Sequence, residues 1–421
     1  MSMIRAALAA TALCSLVATS AQAEPKTLLL HQWSSGSDAA SIAKLGEMFT
    51  AAGGAWEQTA IAGHTANTLA KLRADVVAGN APPAVQLKGP EIAEWNETGM
   101  TANLDELAVA EGWDAVVAPE LLPVMKPAGS WVAAPMNIHR INWIWGNKAA
   151  MEAVGVAGLP KTWAEFNAAC DKAVAGGKIC LAHLSADWSD ATVFEVVLYG
   201  MDKDLYQKAF VEADPEAMRS DGMIKVFEQM RLMVSTYMDP AIAGRDYDTA
   251  SNMMANGDAL FFIMGDWEIG TLLSVGKKPG EDILCAQAPT DSGQPGFILN
   301  SDSVVFFQQQ DPDYIEGQKL LASLILSPEF QTGFNVVKGS IPARLDVDLS
   351  SGFNACQQTS QADLKASIEA GTLVRSMAHN MTVLQKYRGA MMDLITEFVN
   401  TPDMTAADAA NAMADAVEAE M

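Results

Sequence analysis

Two hydrophobic periods alternate between Thr27 and Pro90, and this alternation restricts the fold more than any other feature of the chain. Thr27-Leu28-Leu29-Leu30-His31-Gln32-Trp33 is a mostly apolar run of strand length, as expected of a buried strand. A Ser-Ser-Gly-Ser turn follows at residues 34–37. Ile42, Leu45 and Phe49 then recur at helical spacing until Gly53-Gly54 ends the helix. Leu69, Leu72 and Val76 predict a second helix, closed by Gly79-Asn80 and Pro82-Pro83. Val85-Gln86-Leu87 is a short strand that stops at Lys88-Gly89-Pro90. A strand–helix–strand rhythm of this kind predicts a mostly parallel sheet covered by helices.

Further along, Thr162-Trp163-Ala164-Glu165 reads as a capping box that opens a helix to about Ala175. Strands are expected at Ile179–Ala182, Ala259–Met264 and Ser303–Phe307, with a helix-rich stretch over 188–240 and a helical tail beyond Thr401. A chain of 421 residues predicts two domains, or three. With no repeat and no long linker, two α/β lobes joined by crossing segments are expected rather than separate beads.

The first 23 residues read as an export signal. Arg5 gives a positive start, Ala6 to Val17 a short apolar stretch, and Ala21-Gln22-Ala23 a small-x-small cleavage site, so the mature chain begins at Glu24. The apolar stretch is shorter than the ~20 residues a membrane span needs. Leu13 before Cys14 argues against a lipoprotein, because a small residue is required there. The chain is therefore expected in the periplasm, as a soluble monomer.

Four cysteines remain after the leader: Cys170, Cys180, Cys285 and Cys356. In an oxidising compartment an even count points to two disulfides, with three possible pairings. The nearness of Cys170 to Cys180, at a helix end and the next strand start, favours Cys170–Cys180 and Cys285–Cys356; four buried thiols are the alternative. No CxxC is present, which argues against a redox dithiol.

Lys and Arg number 27 against 51 Asp and Glu, a net charge of −24. Such a surface repels nucleic acid and anionic lipid. The five histidines, at 31, 64, 139, 183 and 379, include no pair at helical spacing, so neither a metal nor another cofactor is expected. GxSxG, HExxH, GxGxxG and the P-loop are all missing from the sequence, and nothing marks a nucleophile. A glycosidase-like carboxylate pair is the remaining enzyme reading, set against an acidic, solvated surface.

Tryptophan stands out instead. Of ten, Trp33 precedes a Ser/Gly turn and Asp38, Trp188 follows Asp187, and Trp267 ends Gly265-Asp266-Trp267. For any one Trp, core packing is the plainer reading. Several at turn positions in an exported chain point to a cleft where flat rings meet the C–H face of a sugar and charged groups bond its hydroxyls.

These segments resemble, in order, an extracellular solute-binding protein of a bacterial ABC importer, of the large sugar-binding type and similar to its glucose/mannose branch. The resemblance is carried by Trp33-Ser34-Ser35-Gly36-Ser37-Asp38, Leu87-Lys88-Gly89-Pro90 and Glu94-Trp95. It continues through residues 134–143, 161–166 and Asn256-Gly257-Asp258-Ala259, then Met264-Gly265-Asp266-Trp267. Ser301-Asp302-Ser303, residues 337–344 and Ala378-His379-Asn380 complete it. It implies a two-lobed α/β periplasmic-binding-protein fold of type II, with the ligand in the interlobe cleft. The lobes expected are 24–133 with 298–345, and 134–297 with 346–421.

By the same resemblance Trp33 and Trp267 stack on a sugar ring and Asp38 accepts from its hydroxyls. Lys88, Lys338 and His379 donate to hydroxyl oxygens, and Asp302 accepts. Gln32, Trp188 and His139 lie near the cleft. The partners implied are a monosaccharide and the importer's transmembrane permease. Two departures bear on specificity. Gln32 stands where that branch often has a second Trp, and Asp38 where it often has Glu. Both widen or loosen one corner, which keeps a disaccharide, an oligosaccharide or a polyol open as the ligand.

Overall fold

The computed structural model describes residues 23–421 other than Ser35 and Gly63, so the export-signal reading over residues 1–22 falls outside the described residues. Twelve strands form three sheets among the described residues. The first sheet has the order β2 (Ala55–Ala60), β1 (Lys26–His31), β3 (Ala84–Leu87), β11 (Ser303–Phe306), β4 (Ala133–Pro135). The second has the order β7 (Ile179–Ala182), β8 (Ala259–Ile263), β6 (Trp143–Asn147), β9 (Ile283–Gln287). A small third sheet, β12 (Leu373–Arg375), β10 (Phe297–Asn300), β5 (His139–Arg140), lies on the chain between them. The chain passes from β4 through β5 to β6, and returns from β9 through β10 to β11. The result is the two-lobed α/β fold with crossing segments.

β1, β2 and β3 pair in parallel, as the strand–helix–strand rhythm predicts. The sheet as a whole is mixed, not mostly parallel, because β11 is antiparallel to both β3 and β4. Only Ser301 and Asp302 separate β10 from β11, so the chain enters this sheet straight from the crossing, without the helical crossover that a parallel neighbour needs. The helix Gly36–Ala51 starts inside the expected turn, and Ile42, Leu45 and Phe49 form its buried face. β2 is an edge strand that carries Glu57 and Gln58 and is largely exposed, so it has no apolar run by which to be recognised.

In the second lobe the central strands are covered on both faces. On β8, Phe261 and Ile263 pack with Phe166, Phe194 and Phe227, while Phe262 packs with Trp143 and Trp145 on the other face. Strand side chains alternate between faces, so two buried faces give the continuous apolar run seen at 259–264. Thr162 caps the helix Trp163–Ala175 by accepting from the Glu165 N–H, and Glu165 reaches back to the Lys161 N–H. Disulfides join Cys170 to Cys180 and Cys285 to Cys356. The second closes a separation of 71 residues and ties β9 to the helix Ala355–Ala370; on the chain-entropy account such a loop contributes roughly 4 kcal/mol.

One contact between the lobes is made by two glycines. A Cβ on Gly270, in the helix Glu268–Ser274, would lie 2.9 Å from the Ser37 Cβ and 3.0 Å from the Val337 carbonyl oxygen. A Cβ on Gly339 would lie 2.7 Å from the Asp266 carbonyl oxygen.

A second crossing contact joins the Lys88–Glu91 turn to the segment after β12. Gly89 (φ +49°) approaches so closely that a Cβ would meet the Asn380 carbonyl oxygen at 2.0 Å. Asn380 itself is left-handed (φ +68°), and its Nδ2 donates to Glu91 Oε1. Glu91 Oε2 and Asn380 Oδ1 are buried without partners among the described residues, so a proton on the carboxyl supplies a donor where one is lacking. Burial pushes the Glu91 carboxyl up from 4.5 to about 7; the Asn380 amide and the Arg388 and Lys88 charges oppose this, and Glu94 adds to it. A carboxyl whose pKa is raised by folding stabilises the fold fully below its ordinary value and loses that contribution as pH rises through the folded value. The melting temperature should therefore fall between pH 5 and pH 8, with a shallower fall in Glu91→Gln; parallel slopes would remove Glu91 as the source.

Candidate functional site

A cleft of about 440 Å³ lies between the lobes, within the size range of small-molecule pockets. All ten residues singled out in the sequence line it or form its floor: Gln32, Trp33, Asp38, Lys88, His139, Trp188, Trp267, Asp302, Lys338 and His379. The reason is positional. Gln32 and Trp33 follow β1, Lys88 follows β3, and Asp302 sits between β10 and β11. Strand ends open into the crevice of an α/β sheet, where a rigid frame holds their side chains in place.

The floor is a chain of buried charges. Lys88 Nζ lies 2.7 Å from Asp302 Oδ1, with Asp302 almost fully buried. Gln86 Nε2 donates to the same oxygen at 3.3 Å, and Asn137 Nδ2 donates to Asp302 Oδ2 at 3.1 Å. His139 Nε2 is 3.4 Å from Oδ2, and its Nδ1 contacts Asp266 Oδ1. Asp266 Oδ2 in turn accepts from the Arg140 N–H at 2.9 Å. Burial works to raise the Asp302 carboxyl, but Lys88, His139 and Lys338 outweigh it and hold the group well below the usual carboxylate range. This carboxylate is an anion whose two oxygens are already engaged by the protein.

The walls carry the second ion pair and the rings. Lys338, the last residue of the helix Pro328–Lys338, places Nζ 2.8 Å from Asp38 Oδ1 in the first turn of the helix Gly36–Ala51. The same ammonium is 5.0 Å from the Trp33 ring centre and 6.0 Å from that of Trp267. Trp33 is 7% exposed and stacks on Phe334 at 6.2 Å. Trp267 is more open and is collared by rings: His379 at 5.1 Å, His139 at 5.4 Å and Trp188 at 6.4 Å. Gln32 accepts from the Thr65 hydroxyl at 2.9 Å. His379 Nε2 lies 3.0 Å from the Thr192 hydroxyl. Burial lowers the His379 pKa well below its ordinary value, and Lys88, Arg388 and His139 add to the effect.

Several lining residues carry no mark in the sequence. Tyr247, Thr271, Asn300, Gln385 and Arg388 join the cleft. Asn300 was within reach of sequence reasoning, because it directly precedes Ser301-Asp302; its buried Oδ1 has no partner among the described residues. Arg388 was not, because helical spacing identifies the buried face of Gln385–Asn400 but not what that face meets. Its guanidinium donates to the Ala378 carbonyl at 2.9 Å and to Gln385 Oε1 at 3.0 Å.

Comparison with known proteins agrees with this architecture. A family model described as bacterial extracellular solute-binding protein matches residues 44–359. Over 423 residues, 99% of both chains, the chain is 40% identical to a "Probable sugar-binding periplasmic protein" of Brucella melitensis. Over 411 residues, 97% of this chain and 98% of the other, it is 39% identical to a protein of the same description from Rhizobium meliloti. Among solved structures, a "Chitin oligosaccharide binding protein" superposes with a TM-score of 0.78 at 16% identity, covering 94% of this chain and 98% of that one. The solute receptor AcbH, whose structure is described by its preference for β-D-galactopyranose, gives 0.75 at 17% identity over 94% and 99%. The chain belongs to the bacterial extracellular solute-binding protein family.

The charge chain makes a prediction about stability. Lys88→Met leaves Asp302 buried without its main counter-charge and should cost roughly 3–5 kcal/mol in urea unfolding. Lys88→Met combined with Asp302→Asn should recover part of that loss; two losses that simply add would show that the pair is not coupled.

Proposed function

We propose that this chain is the periplasmic sugar-capturing component of an ABC importer and performs no chemistry of its own. The observation that carries this reading is the convergence of ten separately placed residues on one interlobe cleft, with Trp267 at the centre of a ring collar. A π-face and paired charges suit a ligand with an apolar C–H face and hydroxyls around its rim. The full-length relatives described as probable sugar-binding periplasmic proteins support it.

In this reading the ligand is a monosaccharide of the glucose or mannose kind. Trp267 and Trp33 stack on it, Asp38, Lys338 and Lys88 bond its hydroxyls, and Asp302 acts chiefly by holding Lys88 in place. The lobes are residues 24–133 with 298–345, and 134–297 with 346–421. Closure is driven by the ligand's higher affinity for the closed form, and the closed molecule presents both lobes to the permease. Residues 1–23 are the leader that brings the chain to the periplasm. A longer ligand is the second reading, favoured by the extension of the cleft past His379 to Gln385, Arg388 and Met392.

Thermal unfolding of the mature protein against glucose, mannose, galactose, disaccharides and polyols tests this. A true ligand at about a thousand times its Kd should add roughly 4 kcal/mol of stability. Trp267→Ala should abolish the shift while leaving the unliganded protein folded. A full shift in that variant defeats the site assignment, and a shift with disaccharides alone replaces the ligand.

A further inference from the structure

Thr192 lies in the second turn of the helix Asp187–Met201, a helix buried on nearly all sides. Its hydroxyl has two neighbours. Oγ1 is 2.7 Å from the Trp188 carbonyl oxygen, one turn earlier, and 3.0 Å from His379 Nε2. A hydroxyl has one hydrogen to give. If that hydrogen pointed at His379, two oxygens would face each other at 2.7 Å with nothing between them. The hydrogen therefore lies on the Trp188 carbonyl, and Oγ1 can only accept from the imidazole. His379 must then carry its hydrogen on Nε2.

The other ring nitrogen is left for the ligand. Nδ1 of His379 makes no hydrogen bond among the described residues, and the residue lines the cleft beside Trp267 and Trp188. The charged and titratable groups that act on the ring are Lys88, Arg388 and His139, which disfavour a second proton, and Asp302, which favours one. Burial, the largest effect, prevails together with Lys88 and Arg388, so the ring is neutral and Nδ1 keeps its lone pair.

We propose that Thr192 is a positioning residue that fixes the tautomer of His379, so that Nδ1 faces the cleft as a hydrogen-bond acceptor and selects a ligand group that donates. The assignment rests on the cleft being the sugar site. It reverses the polarity that resemblance gives this histidine, from donor to acceptor. It also divides the labour of the site: the ammonium groups of Lys88 and Lys338 can only donate, whereas His379 can only accept. A ligand hydroxyl at His379 must turn its hydrogen toward the ring, and a ligand oxygen without a hydrogen is refused.

Nitrogen-15 NMR of the histidine rings in the mature, unliganded protein reads the tautomer directly, with His379 identified by its loss in His379→Gln. The wild type and Thr192→Ser should show a neutral ring protonated on Nε2, and that ring should stay neutral to a pH well below the point at which a free histidine takes up its second proton. Thr192→Val, which keeps the shape but removes the acceptor, should shift the ring toward the other tautomer. It should also weaken the best-bound hexose among glucose, mannose and galactose roughly five- to tenfold, the worth of about one hydrogen bond, with Thr192→Ser close to wild type. A wild-type ring protonated on Nδ1, or a ring indifferent to Thr192→Val, overturns the proposal whether or not any sugar binds. Failure of all three hexoses to bind the wild type overturns the sugar reading, and the NMR result still decides the tautomer.

Discussion

A carboxylate placed almost entirely out of water is the condition that the rest of the cleft depends on. Asp302 is expensive to bury, and only a full set of partners makes it tolerable. Lys88 comes from the end of β3, Gln86 from within it, and Asn137 and His139 from the crossing segment. The four come from two separate parts of the chain, the β3 end and the crossing segment, so satisfying this one carboxylate fixes the relative positions of the first sheet and the crossing strands. His139 extends the chain to Asp266 and hence to Trp267, the most central ring of the cleft. The geometry of the aromatic wall is thus set from below, by electrostatics in a poorly screened interior.

The two ion pairs of the cleft differ in kind. Lys88 and Asp302 are both buried, and their separation would strand a charge. Asp38 is more than a third exposed, while its partner Lys338 is buried and reaches over the Trp33 ring. The second pair can exchange its partner for water or for a ligand at modest cost, and the first cannot. Rigidity and adaptability are therefore placed on opposite sides of the same pocket. Trp267 stands between them.

Much of this was legible in the sequence, for identifiable reasons. Strands buried on both faces write themselves as apolar runs, so β1, β7, β8 and β11 could be read. Tryptophans beside turn residues marked the strand ends, and the cleft follows from strand ends. The edge strand β2 was not legible because one exposed side and a pair of polar residues erase its pattern. The antiparallel entry of β11 was not legible either, because a hydrophobic run encodes burial and not direction. Nor did residue type reveal that Lys88 and Asp302 spend their charges on each other. Thr192 is the extreme case: amid Ala191, Val193 and Phe194 it reads as a helix-filling residue, and only its two neighbours in space give it a role.

The glycine contacts at Gly270 and Gly339 bear on a property separate from the ion pairs and rings of the cleft. Hydrogen atoms are all that separates the Glu268–Ser274 helix of one lobe from the backbone and Ser37 of the other. A side chain at either position would meet the facing lobe at once, and in the proposed closure it would set how far the jaws can shut. Because apparent affinity scales with the fraction of molecules able to adopt the binding-competent shape, added bulk at this seam would weaken every solute by the same factor and leave their ranking untouched. Sensitivity and selectivity are thus governed at separate places in the molecule, so the threshold concentration at which such a receptor responds can drift without any change in what it recognises.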